Sequence, residues 1–311
     1  MAHIQTVLGP IDPDALGFTL PHEHTQIALW HIESRWDYWQ LTRDQPVIVE
    51  ELARYRAAGG SGLVDLTLPG VGRDPLWLRD VAVATGLHVV MGCGWYRTAY
   101  YPAEARIDRR SVDDLADELV AEIETGVGDS GIRPGIIGEI GTDKPWVSPA
   151  EERVHRAAAR AARRTGLAIT THGVLSDVGL AQLRILEEEG VDPGRVVIGH
   201  ADSYPFLDHL VAIVERGANL EFDFIGMPWE RERLTEPRLV ELVCELLGRG
   251  HSDRLFLSQD VCNDSQLTTF GGNGYAYLAE VFLRRLRVAG VSDTEIETMT
   301  VTNPRRLLTI E

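Results

Sequence analysis

Eight times along this chain a short apolar run is followed by an amphipathic stretch, and that alternation limits the folds open to it. The runs lie at residues 15–22, 62–67, 87–92, 135–140, 167–171, 195–199, 219–223 and 254–258. Apolar runs of this length, bounded by turn residues, read as buried strands. The stretches after them read as helices at 46–58, 75–85, 111–125, 149–166, 178–189, 205–216, 236–248 and 273–288. Ser148-Pro149-Ala150-Glu151 and Ser292-Asp293-Thr294-Glu295 are capping boxes that open helices, the first with Pro at the first helical position. Eight strand–helix units are the count of a (β/α)₈ TIM barrel, so an α/β single domain over residues 1–311 is expected. A doubly wound sheet is the structural rival, but no G-x-G-x-x-G follows the first strand.

Composition narrows the function. With 44% hydrophobic residues in 311, the chain can bury a large core. Its net charge of -17 lacks the basic field of a nucleic-acid binder. No stretch has the length and apolarity of a transmembrane helix. Met1-Ala2-His3-Ile4-Gln5 has none of the marks of a secretory leader. Three cysteines, Cys93, Cys244 and Cys262, make no disulfide framework and fit a reducing compartment. A cytoplasmic protein that acts on a small molecule, away from membranes, is expected.

In a barrel, chemistry sits at the C-terminal ends of the strands. Those ends carry His22 and His24 after the first run, Glu139 in the fourth, His172 after the fifth, His200 after the sixth and Asp260 after the eighth. Residues two apart on a strand share a face, so His22 and His24 point the same way and can grip one metal ion. Each residue alone has a structural account: a core histidine, a buried Glu paired with an arginine, an Asp at a helix N-cap. Six such residues on one rim point to metal binding. His3, His88, His155, His209 and His251 share no such placement and read as structural or surface residues, as does His31 in the first rim loop.

These residues resemble the phosphotriesterase family of the amidohydrolase superfamily, over nearly the whole chain. The marks are Gly17-Phe18-Thr19-Leu20-Pro21-His22-Glu23-His24, Gly92-Cys93-Gly94-Trp95-Tyr96, Gly138-Glu139-Ile140-Gly141-Thr142, Thr170-Thr171-His172, Gly199-His200, Ser258-Gln259-Asp260 and Asn303-Pro304. The resemblance implies two divalent metal ions per chain. His22, His24 and Asp260 would hold the more buried ion, and His172 and His200 the more exposed one. Many members bridge the pair with a carboxylated lysine. Glu139 stands there in this sequence, as in the branch of phosphotriesterase-homology and phosphotriesterase-related proteins, and its two oxygens can bridge two cations. Zn²⁺ suits these ligands, with Mn²⁺ or Co²⁺ fitting the same set.

The mechanism implied is attack by a metal-bridging hydroxide on the carbonyl of a small carboxylic ester or lactone, with Asp260 as proton shuttle. Amide (N-acyl) or phosphotriester hydrolysis is the alternative reaction. A non-catalytic metal-binding barrel is the alternative of another class. Tyr96 resembles the rim tyrosine that members aim at the metals. Asp223-Phe224 replaces the Asp-Arg pair of acyl-homoserine lactonases, which argues against that substrate. Trp95, Phe224, Met227, Trp229 and Phe270 would make a largely apolar substrate rim. The resemblance also implies a homodimer.

Overall fold

The computed structural model describes residues 2–30, 39–227 and 235–311. A short antiparallel hairpin, β1 (Ile4–Thr6) and β2 (Gly9–Ile11), precedes the barrel. The alternation seen in the sequence begins only after this hairpin. Eight parallel strands follow in sequential order: β3 (Thr19–Glu23), β4 (Gly62–Asp65), β5 (His88–Cys93), β6 (Ile136–Gly141), β7 (Ile169–His172), β8 (Val196–Ile198), β9 (Asn219–Phe222) and β10 (Leu255–Leu257). The helices between them are α1 (Gln45–Ala57), α2 (Pro75–Thr85), α3 (Val112–Thr125), α4 (Pro149–Thr165), α5 (Gly179–Glu188), α6 (Leu207–Glu215) and α7 (Glu236–Gly248). This is the (β/α)₈ barrel expected from the alternation.

The strands alternate sides as their pleat requires. Val64, Val90, Ile136, Val197 and Phe256 pack with one another inside the barrel. Their neighbours Leu63, Val89, Ile137, Val196 and Leu255 pack outward against the helices. Ile4, Leu16, Leu307 and Leu308 join the inner group, so the N-terminal hairpin and the C-terminal helix help close the barrel floor. Backbone pairing of His3 with Ile310 ties those two ends together.

Local chemistry sets the helix limits. Ser148 and Glu151 form the reciprocal capping box, Pro149 opens α4, and Gly166 ends it in a left-handed conformation. α4 then buries Val154, Ala157, Ala158 and Ala161, a helical stripe of small residues that lets it lie close to its neighbours. The C-terminal helices depart from expectation. A π-helical turn at Leu278–Phe282 precedes α8 (Leu283–Val288), and another at Thr298–Thr302 separates α9 (Asp293–Glu297) from α10 (Asn303–Leu308). Pro304 has no N–H to donate and breaks the regular ladder there.

The seam between β10 and β3 is made by side chains. Ser258 Oγ accepts from the His22 N–H at 3.0 Å and lies 2.8 Å from Glu23 Oε1. Glu23 also accepts from the backbone N–H groups of Gln259 (2.9 Å) and Val261 (2.8 Å). Asp260 N donates to the His22 carbonyl at 3.2 Å, so two of the ligand-type residues are locked across the seam. That backbone bond holds them in register although β3 and β10 share no ladder pairing. Among the described residues no helix is long and apolar enough to cross a membrane.

Candidate metal centre

Two irregularities in the sheet aim the first ligand-type residues inward. Between Leu20 and Glu23, β3 carries one more residue than the facing stretch of β4 from Leu63 to Asp65. Between Ile137 and Ile140, β6 likewise exceeds β7 by one residue. Such bulges re-aim side chains and concentrate beside active sites. Ile137 and Ile140 both pack outward, which leaves Glu139 on the inner face between them. His200 follows β8 with φ +53, and Asp260 follows β10 with φ +47. Left-handed backbone is costly for residues with a Cβ, and it persists where the surroundings hold it for function. Gly199 is required beside His200, because a Cβ there would run into the Thr171 carbonyl of β7.

All six strand-end residues converge. Glu139 Oε2 lies 2.8 Å from His172 Nδ1, 3.3 Å from His200 Nε2 and 3.5 Å from His22 Nε2. Its other oxygen, Oε1, lies 3.6 Å from His24 Nε2. Asp260 Oδ1 stands 3.2 Å from His24 Nε2 and 4.0 Å from His22 Nε2. His172 Nδ1 and His200 Nε2 approach to 2.7 Å. Glu139 therefore presents one oxygen toward His24 and the other toward His172 and His200.

Outer partners fix the imidazoles. Thr67 donates its hydroxyl to the Gln26 carbonyl at 2.7 Å, so His24 Nδ1–H donates to Thr67 Oγ1 at 2.9 Å and Nε2 is left with its lone pair. His22 Nδ1 faces Glu221 Oε2 at 2.9 Å and Asp223 Oδ2 at 3.2 Å. His200 Nδ1 and its backbone N–H both reach Asp223, at 2.8 and 2.9 Å. A carboxylate or hydroxyl behind these three histidines is the arrangement that orients metal-binding imidazoles.

The donor set fits a cation. His22 is wholly buried, and its Nε2, aimed between Glu139 and Asp260, has no hydrogen-bond partner. An unpaired buried polar atom is costly, and a metal ion there would satisfy it. Among the described residues, three groups of donors lie close enough to share an ion: His22 with Glu139 and His200, His22 with His24 and Asp260, and His22 with Glu221 and Asp223. Glu139, Glu221, Asp223 and Asp260 pair with no Lys or Arg among the described residues. Buried carboxylates in that position call for cations.

The electrostatics are correspondingly strained. Burial opposes charge on His200, but Asp223 outweighs it and the imidazole is pushed up to about 10. Burial also opposes charge on His22, yet Asp223, Glu139 and Glu221 raise it well above the ordinary value. Burial holds His172 down to about 4, against the pull of Glu139. Burial would raise Glu139, but His172, His200 and His22 keep it well below the usual carboxylate range.

The rim residues divide. The Tyr96 hydroxyl is 3.4 Å from His172 Nε2, with the two rings edge to face at 4.7 Å. The Phe224 ring lies 5.1 Å from that of His200 and is half-buried. Both stand at the cluster. Trp95 instead lines a separate flank groove with Arg73, Pro102 and Glu122. Phe270 is exposed on the loop after β10. His31 and Trp229 lie outside the described residues.

Sequence reasoning missed Glu221 and Asp223 as supports. The signal was present: in Asn219-Leu220-Glu221-Phe222-Asp223 every second residue is polar, which puts all three polar side chains on one face of β9. It also missed Asp202, a buried carboxylate whose Oδ2 accepts from Phe224 N at 2.9 Å and which thereby holds the Phe224 loop against the cluster.

Comparison with known proteins agrees with this geometry. The sequence model described as the Phosphotriesterase family matches residues 2–308. The Phosphotriesterase homology protein of Escherichia coli is 35% identical over 295 residues, covering 94% of this chain and 97% of that one. The N-acetyltaurine hydrolase of Tetraodon nigroviridis is 31% identical over 345 residues, covering 99% and 98%. The crystal structure of the Escherichia coli protein, complexed with phosphate in its active site, superposes with a TM-score of 0.89 at 35% identity, covering 96% of this chain and 100% of that one.

Proposed function

The chain belongs to the phosphotriesterase family and is a metal-dependent hydrolase, and we propose that it uses two divalent cations to cleave a small carboxylic ester or lactone. The observation that carries the reading is Glu139, buried and unpaired by any Lys or Arg among the described residues, with one oxygen toward His24 and the other toward His172 and His200. His22, His24 and Asp260 would hold one ion, His172 and His200 the other, with Glu139 between them. Zn²⁺ suits this imidazole and carboxylate set, and Mn²⁺ or Co²⁺ would also fit. Bound there, the ions supply an activated water near neutral pH and polarise the substrate oxygen.

The chain's own residues supply the rest. The Asp260 side chain is 11% exposed, against 0–3% for His22, His24 and Glu139. It is thus the acidic group at the cluster best placed to take a proton from the attacking water and pass it to the leaving group. Glu221 and Asp223 keep His22 and His200 oriented, and Thr67 does so for His24. Tyr96 and Phe224 flank the exposed side of the cluster, where Tyr96 offers a hydroxyl to the scissile group and Phe224 an apolar wall to its acyl or alkyl part.

A second reading, hydrolysis of an N-acyl amide, draws on the N-acetyltaurine hydrolase, which this chain matches over almost its full length. One screen separates the readings: metal-loaded protein assayed with γ- and δ-lactones, aryl acetates, N-acetyltaurine, N-acetyl amino acids and a paraoxon-like triester. The ester or lactone reading expects kcat/KM for at least one ester or lactone to exceed every amide tested. Faster turnover of an N-acetyl compound favours the second reading. No turnover of any class by protein carrying both metals would leave a metal-binding barrel without hydrolysis.

A further inference from the structure

We infer that the face of the barrel opposite the metal centre carries a binding site for a phosphate group. A groove of about 800 Å³ opens among the C-terminal end of α4, the start of β8 and the C-terminal segment, and Arg164, Arg195, Arg305 and Arg306 line it. Arg195 and Arg306 also line an adjoining hollow of about 290 Å³, together with Arg216 and Arg254. The two cavities carry six arginines against three carboxylates, Asp14, Asp192 and Glu311, in a chain whose net charge is -17. The choice of Arg over Lys carries no information here, because Lys144 is the one lysine among 30 basic residues. The informative feature is how two of these arginines are held.

Four of the six have carboxylate partners: Arg164 with Asp117 (2.5 Å), Arg305 with Asp14 (2.7 Å), Arg254 with Asp253 (3.4 Å), and Arg216 with Glu187. Arg195 and Arg306 have none among the described residues. Neutral oxygens position them instead. Arg195 donates to the Gly166 carbonyl at 2.6 Å and to the Arg306 carbonyl at 3.3 Å. Arg306 donates to Asn219 Oδ1 at 3.0 Å and to the Asp253 carbonyl at 2.8 Å. Asn219 is itself fixed, donating to the Gly194 and Val196 carbonyls at 3.1 and 2.8 Å.

These bonds, all to neutral oxygens, orient two planar guanidinium groups and leave no carboxylate directly paired with either among the described residues. Burial and the charge of neighbouring Arg306 push Arg195 down from the ordinary arginine value, and nearby Asp192 and Glu311 only partly offset them. Burial and Arg254 lower Arg306 in the same way, against Asp253 and Asp192. The C-terminal end of α4 at Gly166 offsets only a fraction of one charge. Asp192 and Glu311 line the cavities but bond to neither guanidinium, and Asp192 Oδ1 accepts from Gly194 N at 2.9 Å. A tetrahedral oxyanion bearing two charges is the ligand that two adjacent, preoriented arginine forks recognise. A free phosphate ion and the phosphate of a small phosphomonoester share that chemistry.

The test is calorimetric titration of the metal-loaded protein with inorganic phosphate and, separately, with glycerol 3-phosphate. Wild type is compared with R195Q/R306Q. Any phosphate that binds at the metal centre would do so equally in both proteins, and the comparison subtracts it. Wild type is expected to show a further site that the double variant binds about 10-fold more weakly or not at all, the worth of one or two lost charge-assisted bonds. Tighter binding of glycerol 3-phosphate than of phosphate at that site identifies an organic phosphate as ligand, and equal or weaker binding identifies the free ion. Superimposable isotherms for wild type and folded variant would overturn the inference. Should the variant not fold, hydrogen exchange of wild type decides: saturating phosphate should protect residues 192–196 and 302–309, and no protection there would equally overturn it.

Discussion

His22 Nδ1 stands 2.9 Å from Glu221 Oε2, while the Nε2 of the same ring is buried with no hydrogen-bond partner. The carboxylate takes the Nδ1 side of the imidazole and turns Nε2 toward Glu139 and Asp260. This makes Glu221 a positioning residue for a cation it need not touch. Glu221→Gln keeps an acceptor but removes the charge. It is expected to weaken the more buried metal by about 10–100-fold in a chelator competition, the usual worth of such a partner. Asp223→Asn should weaken both metals, because Asp223 faces His22 at 3.2 Å and His200 at 2.8 Å. Unchanged affinities in both variants would contradict the role given to β9.

Asp260 is the residue to which proton transfer is assigned. Asp260→Asn keeps an oxygen near His24 and removes the base. It is expected to lower kcat by about 10²–10⁴-fold while metal content falls far less. A variant with both metals and near wild-type kcat would remove Asp260 from the chemistry.

The fold was legible because a parallel barrel buries its strands on both faces, so each strand is a plain apolar run. The ligand-type residues were legible because such runs end in His, Glu or Asp where packing alone would favour apolar residues. Other features left weaker traces. The hairpin at Ile4–Ile11 has strands of three residues, Ile4–Thr6 and Gly9–Ile11, too short for a period to show. The extra residue that turns Glu139 inward is visible only against the facing strand, from Ile137↔Ile169 to Ile140↔Thr171. Glu221 and Asp223 showed as alternation on β9, but which histidines they support depends on where β3 and β8 lie. The separation of Trp95 from Tyr96 follows the same logic: adjacent residues at a strand end leave on opposite sides.

The barrel interior gives a stability test separate from the chemistry. Phe256 on β10 is wholly buried among Val64, Val90, Ile136 and Val197. Phe256→Ala should cost about 3–5 kcal/mol, since the surrounding ring of strands cannot collapse onto the cavity left behind. Chemical denaturation measures it, and a loss below about 1 kcal/mol would mean that the interior is not packed as described.

Glu51 gives a pH test away from the metals. On α1, it accepts from the Thr268 and Thr269 hydroxyls at 2.6 and 2.8 Å and from Thr269 N at 2.8 Å, tying down the loop after β10. Burial alone would raise its pKa, but these donors outweigh burial and hold it below the ordinary glutamate value. A carboxylate with a depressed folded pKa adds stability that is fully present above its unfolded value and fades as pH falls through the folded one. The Tm difference between wild type and Glu51→Gln should therefore be largest near neutral pH and shrink below about 4.5. A difference that stays constant down to about pH 3 would contradict this assignment.

Glu139 carries the central claim, and metal stoichiometry of the Glu139→Gln variant tests it most directly. Elemental analysis should find two divalent ions per chain in fully loaded wild type. The folded Gln variant should lose metal and activity together, because a neutral amide bridges two cations poorly. Glu139→Lys should regain metal only when bicarbonate is present during loading, as a lysine there would need carboxylation to bridge. Folded Glu139→Gln protein that still holds two ions, or wild type that binds one or none, would contradict the account.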